Sequence, residues 1–386
     1  MARKGKRVAV VGVGYSPIGR KTGMSARQLT IHAVKAALDD AGMTSGDIDG
    51  FATIGGDALE DAWMLGIDPI NWYNTSAATT PAFSYAAAQA ISAVASGYCH
   101  TCIATRIIQQ QPTAAEWMSR ASLPSAALSY MTAIDDRQFL LPFGAGSAPQ
   151  WAGLLTRRHM EQFGTTEEQF GLHVIAQRDH AALNEDALQR DRLTLDDYLA
   201  SRFVSKPLRL LDCDYPCDAG SAVIFTTEER AEHWAQPPAF VESFALTATQ
   251  DVNFELLPDM AVTAPEPCAR TLWSRTDLKP KDVSCAQVYD GFTIIAFQWL
   301  EALGFCKIGE AGPFVAEGNT RLGGTLPTNT DGGACNVGRR HGSNFCIEAI
   351  RQLRGQCGDR QVPDAEVAVW TNGVGPFAGA VLMTKH

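Results

Sequence analysis

The chain repeats its own pattern at a fixed spacing. Residues 25–41, SARQLTIHAVKAALDDA, carry apolar residues at helical intervals behind a serine cap, and the turn GMTSGDIDG then leads into the strand-like FAT. The second half returns the same order in TLWSRTDLKPKDVSCAQV. Ala41 corresponds there to Thr276, Asp47 to Asp282 and Ile48 to Val283, each pair 235 positions apart. A further echo follows in each half. The helix AAAQAISAVASG (86–97) precedes the strand-like TCIATR, and CIEAIRQLRG (346–355) precedes VAVWTNG. With the buried strand RVAVVGV (7–13) at the start, two copies of a strand, helix, strand, helix, strand order predict two α/β halves side by side. A duplicated fold of this kind places its site between the halves.

Residues 115–185 match neither copy. They contain the Gly/Pro-rich LLPFGAGSAPQ and helical patterns over 150–161 and 166–184, and read as an inserted cap that covers a pocket. The expected division is residues 1–114 with 186–236 as the N-terminal half, 115–185 as the cap and 237–386 as the C-terminal half. A chain of 386 residues, 46% of them hydrophobic and 19% charged, is long enough for two such cores. A net charge of −10 without a run of Lys or Arg argues against nucleic acid as a partner. The opening MARKGKRVAVVGVG is too short and Gly-rich in its apolar part for a signal core, and no stretch of about 18 apolar residues occurs elsewhere, so a cytoplasmic protein without a membrane span is expected. Most of the ten cysteines sit in apolar settings, as buried thiols of a reducing compartment do. Cys99 and Cys102 form a lone CxxC without a second pair, and are read as structural, like Cys213 and Cys217; no metal site is expected.

The helix 86–97 is apolar almost all round and should be buried on every side. Thr79, Thr80 and Pro81 mark its start with hydroxyl caps and a first-turn proline. The positive end of its dipole then faces whatever lies near Thr80 and favours an anion or a nucleophile, although a capped core helix explains the same residues.

Taken together, VAVVGVGYSPIGR, DIDGFAT, ASGYCHTCIATR, PLRLLDCDYPCDAGSAVIF, VYDGF, NTDGGACNVGRRHG and TNGVGPFAGAVLM, in that order, resemble the thiolase superfamily over essentially the whole chain. The resemblance implies the thiolase fold, two similar α/β halves in a layered α-β-α-β-α arrangement. In thiolases a nucleophilic Cys lies 17 residues before the Gly that ends the buried helix; counted from Gly97, that place is Thr80. A threonine hydroxyl does not replace a thiolate without a dedicated base. The family's catalytic His follows paired glycines, here Gly332 and Gly333, and its slot is held by Arg339, with His341 two residues late. The second catalytic Cys is replaced at Thr371 or Asn372. Three departures in three slots exclude thiolase chemistry by the usual covalent route.

The segments LRLLDC, YDGF (Tyr289, Asp290, Gly291, Phe292), EALGFCKIGEAGPFV and RQLRG are similar to a branch of lipid-transfer and sterol-carrier-type thiolase-like proteins that includes steroid side-chain-cleaving aldolases. That resemblance implies retro-aldol cleavage of a β-hydroxyacyl-CoA, with tyrosines as catalytic groups. One of them matches Tyr289, and the other falls at Arg339. It further implies a homodimer and a small OB-fold, zinc-ribbon-bearing partner protein. The cleavage needs a base for the β-hydroxyl proton and a group to hold the thioester enolate, and no cofactor beyond the CoA of the substrate. Tyr289 is expected as base or acid, its phenol lowered by the guanidinium of Arg339, which with the amides of Gly332 and Gly333 also stabilises the enolate. Asp290 and His341 complete the catalytic candidates; each also reads as structural, Asp290 as an anchor for a loop. Thr80, Arg340 and Asn372 are expected beside the substrate. Two other readings stand: a non-catalytic acyl-CoA or lipid carrier or scaffold, and an acyltransferase using a displaced Cys335 or Cys346, of which Cys335 is not expected at a helix N-terminus.

Overall fold

A computed structural model describes residues 5–76, 82–109, 141–145, 147–249, 259 and 262–386. The first half runs β1 (Val8–Tyr15), α1 (Ala26–Ala41), β2 (Gly50–Ile54), α2 (Ala58–Met64), β3 (Trp72–Ser76), α3 (Ala82–Ser96) and β4 (Thr101–Ile108). The inserted region follows with α4 (Ala148–Phe163), α5 (Glu167–Ala182), α6 (Leu195–Ala200), β5 (Phe203–Ser205) and β6 (Leu208–Arg209), and β7 (Ala219–Thr227) returns to the first half. The second half contains β8 (Ala239–Ala248), α7 (Pro265–Trp273), β9 (Cys285–Gln287), α8 (Thr293–Ala302), α9 (Ala311–Ala316), α10 (Ala334–Val337), α11 (Ser343–Arg354), β10 (Val367–Val374) and β11 (Phe377–Thr384).

The duplication is visible in the strand order β3-β2-β4-β7-β1-β8-β11-β10-β9. Each half contributes the same four-strand pattern, β2-β4-β7-β1 and β9-β10-β11-β8. In both, the first pair is parallel and the next two pairings are antiparallel. Between the halves the described strands β1 and β8 pair through Ala9 with Phe240 and Val10 with Ala239. The 235-residue spacing holds in detail: the 3-10 turn Ser45–Asp47 recurs as Pro280–Asp282, and β2 begins at Gly50 where β9 begins at Cys285.

α3 and α11 form the central layer. α3 packs on β2, β4 and β10, and α11 packs on β9, β10 and β7, so both are shared between the two sheet halves. Phe83, Ala87, Ile91 and Val94 of α3 fall in one core cluster with Phe345, Ile347 and Ile350 of α11, and the ring of Phe83 lies 6.0 Å from that of Trp370. Burying each large apolar side chain of this kind stabilises the fold by roughly 1.5–3 kcal/mol. α1 covers β1 and β7 on one outside, and α7 covers β8 and β11 on the other. The serine cap read for α1 is present as a capping box, Ser25 and Gln28 bonding reciprocally, and Gly42 closes the helix with φ 67°. α3 is present from Ala82, next to the start read at Thr79, Thr80 and Pro81, and those three residues lie outside the described residues.

The inserted helices occur as α4 and α5, and residues 115–140 and 146 of the expected cap lie outside the described residues. The chain from 195 to 209 packs with them, α6 against α5 and β5 and β6 against α4, so this unit extends past residue 185. Tyr198 fastens it, donating from its hydroxyl to buried Asp212 at 3.0 Å.

Candidate active site

The site forms where the ends of β4 and β9 meet the Gly-rich segment after residue 329. Past the end of β9, Val288 N donates to Asn329 Oδ1 (2.7 Å) and Tyr289 N to Thr371 Oγ1 (2.9 Å), which fixes the Tyr289 backbone between β10 and the Gly-rich segment. Its ring stands edge-on to Phe345 of α11, 6.1 Å between centroids. Gly291 leaves the room the phenol needs, since a Cβ there would lie 2.6 Å from Tyr289 Oη.

Two guanidinium groups act on this phenol. Arg106, near the end of β4, is buried; its Nη1 donates to Ile54 O (3.0 Å) and its Nη2 lies 2.7 Å from His341 Nδ1. Arg339 sits 3.8 Å from Asp214, Nε to Oδ2. The strip around Asp214 stitches the site together: Asp214 N donates to Gly291 O (3.1 Å), Tyr215 N to Ala334 O (3.1 Å) and Arg339 N to Tyr215 O (2.8 Å). Tyr289, Arg339 and His341 are thus brought together as read from the sequence, and Arg106 and Asp214 join them unforeseen. Their signals were present: Arg106 is the one charge in the apolar run TCIATRII, and Asp214 sits amid three aspartates in LDCDYPCD.

Burial governs the protonation of the cluster. The Tyr289 phenol is pushed up by burial, with the charge of Asp214 adding to the rise, and Arg339 and Arg106 offset only part of it. The expected lowering by Arg339 is therefore outweighed by burial, and Tyr289 is a protonated phenol at neutral pH. Burial, then Arg106 and Arg339, hold His341 well below the usual histidine range, so its imidazole is neutral and accepts the Arg106 hydrogen bond. Arg106 itself falls to about 10, first through burial and then through Arg339. Asp214 rises to about 6 through burial, with Arg339 opposing.

Other expected site residues are engaged elsewhere. Gly332 N donates to Asn329 O (2.9 Å) and Gly333 N to Asp331 Oδ1 (2.8 Å), so neither amide is available for an enolate oxygen. Both glycines have positive φ, 108° and 71°, and a Cβ would lie 2.5 Å from Ala181 at Gly332 and 2.1 Å from Asp290 Oδ2 at Gly333. Asp290 is fully buried beneath this turn, its Oδ1 accepting from Ala334 N at 2.8 Å, in the manner of a loop anchor. Arg340 belongs to a different cluster: its guanidinium donates to Val337 O (2.8 Å) and lies 4.4 Å over the ring of Tyr15. Asn372 is buried under Gly342, its Oδ1 3.4 Å from Ser84 N in the first turn of α3. Thr80 lies outside the described residues.

Thiol chemistry has no usable group among the described residues of this region. Cys335 does lie in the first turn of a helix, the four-residue α10, contrary to the sequence reading, yet its Sγ donates to Asp290 O at 3.4 Å and burial raises it well above the usual thiol range. Cys217 donates to Arg339 O at 3.7 Å and is pushed up to about 11, and Cys346 is fully buried and raised. α5 braces the Gly-rich segment from outside, through Arg178 to Asn336 (2.6 Å), Asn184 just beyond it to Asp331 O (2.9 Å), and His180 to Asn329 O (3.2 Å). A groove of 810 Å³ lined by Tyr15, Ile18, Asp39, Asp186, Leu188 and Arg351 contains none of the residues around Tyr289.

Residues 247–384 match the Thiolase C-terminal domain-like family. The chain is 32% identical to the steroid side-chain-cleaving aldolase of Thermomonospora curvata, over 97% of each chain. It is also 32% identical to the 17-hydroxy-3-oxo-4-pregnene-20-carboxyl-CoA lyase of Mycobacterium tuberculosis, covering 97% of this chain and 99% of that one. Among solved structures, the Ltp2-ChsH2(DUF35) aldolase superposes with a TM-score of 0.89 at 31% identity, over 98% of both chains.

Proposed function

The chain belongs to the thiolase superfamily, among the aldolases that cleave steroid side chains, and from that kinship we propose how its site performs retro-aldol cleavage of a β-hydroxyacyl-CoA. It is a carbon-carbon lyase acting on acyl-CoA thioesters rather than a working thiolase. One observation carries the assignment of roles: a protonated phenol and two guanidinium groups converge where no thiolate is available among the described residues. Cleavage leaves an enolate on the thioester. Arg339 and Arg106 stabilise its oxygen, and donors so placed contribute about 2.7–4 kcal/mol each to a transition state of this kind. Tyr289 delivers the proton that quenches the α-carbon. His341, neutral and bonded to Arg106, orients that guanidinium.

The assay is direct. The full chain, incubated with a β-hydroxyacyl-CoA, should release a ketone or aldehyde and a shorter acyl-CoA. Binding without release would instead make it a carrier.

We further assign the protein to the cytoplasm as a homodimer joined through β3. Among the described strands, the far edge β9 is closed by the segment 327–329, Ala286 N donating to Pro327 O and Asn329 N to Ala286 O, whereas β3 ends the sheet with Tyr73 54% exposed. A monomer by light scattering at micromolar concentration would contradict this. No described helix is long and apolar enough to cross a membrane. A small OB-fold, zinc-ribbon partner that completes the site is proposed as well, supported by the pairing named for the solved relative. Full turnover by the chain alone would remove that partner from the reaction.

A further inference from the structure

We infer that Asp214 is the general base of the cleavage, the carboxylate that takes the proton of the β-hydroxyl; this rests on the aldolase reading above. Several buried or half-buried carboxylates of this chain are held by donors. Asp49 accepts from the amides of His100 and Thr101, Asp212 from Arg209 N and Tyr198, Asp331 from Gly333 N and Asn344, and Glu348 from Thr330 and Arg360. Asp214 accepts no hydrogen bond among the described residues. Its side chain is 12% exposed, and its one charged neighbour within reach among the described residues, Arg339, stands off at 3.8 Å. This carboxylate is left with its lone pairs open beside the phenol and the guanidinium groups of the site.

Its backbone accounts for the placement. Asp214 N is bonded to Gly291 O, two residues after Tyr289, and the next residue bonds both Ala334 and Arg339. The carboxylate is therefore held against the two loops that supply the acid and the enolate donor. After burial, its charge is the largest influence on the Tyr289 phenol. Burial raises Asp214 to about 6, which strengthens it as a base yet leaves it mostly ionised at neutral pH.

The step balances without a co-reactant. Asp214 takes the hydroxyl proton, and the O–H pair becomes the second bond of the carbonyl product. The Cα–Cβ bond breaks, and its pair passes into the thioester enolate held by Arg339. Tyr289 gives its proton to the α-carbon, forming the new C–H bond. The proton on Asp214 then returns to the Tyr289 phenolate and restores the site.

The test uses the full chain with a β-hydroxyacyl-CoA. Asp214→Asn keeps the shape and should lower kcat by about 10²- to 10⁴-fold, with KM changed by no more than about threefold. Wild type should show an acidic limb near pH 6, and that limb should vanish from the residual rate of Asp214→Asn. Asp214→Ala should regain cleavage on adding formate or acetate, the more basic carboxylate giving more rescue. Asp214→Asn cleaving within a few-fold of wild type and keeping the acidic limb would overturn the inference. So would loss of acyl-CoA affinity without carboxylate rescue, which marks a residue that only positions Arg339. If wild type itself releases no carbonyl product, the aldolase reading fails instead, and the two failures are distinct.

Discussion

Arg106 Nη2 lies 2.7 Å from His341 Nδ1, so one hydrogen bond joins the end of β4 in the first half to the Gly-rich segment of the second. A guanidinium only donates, and the imidazole must therefore be neutral to accept. Arg106 also helps hold His341 well below the usual histidine range, after burial. Arg106→Met keeps the volume and removes both effects. The His341 ring should then titrate at a higher pH than in wild type, read from its imidazole proton signal by NMR with His341→Gln as the assignment control. An unchanged titration would dissolve this pairing.

Tyr289→Phe should lower kcat by about 10²- to 10³-fold, a loss of roughly 2.7–4 kcal/mol of transition-state stabilisation, and leave acyl-CoA affinity within a few-fold. The alkaline side of the pH profile gives an independent reading. The phenol must be protonated to act, and it is raised above its ordinary 10.0, so it imposes no loss of rate below about pH 10. An alkaline limb near pH 8 that disappears in Tyr289→Phe would mean that the phenol ionises early and acts as a base.

Gly291→Ala tests the same ring without touching it. The new Cβ would stand 2.6 Å from Tyr289 Oη and 2.8 Å from Cζ, so the ring must move. A decrease of about 10-fold or more in kcat is expected, on the general ground that small misplacements of catalytic groups are costly. Combined with Tyr289→Phe the losses should not add, because both act on one phenol. Additive losses would place the effect of Gly291 elsewhere, such as its carbonyl bond to Asp214 N.

The duplicated pattern made the halves legible because secondary-structure periods and turn chemistry are local. Ser25, Gly42 and the paired turns at 45–47 and 280–282 carry their signals in adjacent residues. The position of Tyr289 and Arg339 was legible through family spacing. What escaped depends on where long-range partners lie. The amides of Gly332 and Gly333 are spent on Asn329 and Asp331, and Arg340 is turned to Val337 and Tyr15. Neighbouring residues of the same type, Arg339 and Arg340, thus serve different clusters, and only the fold of the loop separates them. The sign of the phenol shift was missed for a related reason: a nearby cation was weighed, and the depth of burial was not.

Asp290 offers a test of stability rather than rate. Burial raises its carboxyl from the ordinary 3.8 to about 8, opposed in part by the Ala334 amide. The unfolded chain loses this proton near pH 4, whereas the folded chain keeps it to about pH 8. Between those values the folded state binds more protons, so the contribution of this group to stability falls as pH rises, by up to about 1.4 kcal/mol for each pH unit crossed. Below pH 4 both states are protonated and the contribution is constant. Asp290→Asn never titrates and keeps an oxygen for Ala334 N. Denaturant melts of both proteins should therefore show the difference moving in favour of Asn from about pH 4 to pH 8 and levelling off beyond. Any fixed cost of placing the new amide in this buried site shifts that curve without changing its slope. A difference that is flat with pH would show that Asp290 ionises normally and that the Gly333 turn rests on a charged carboxylate.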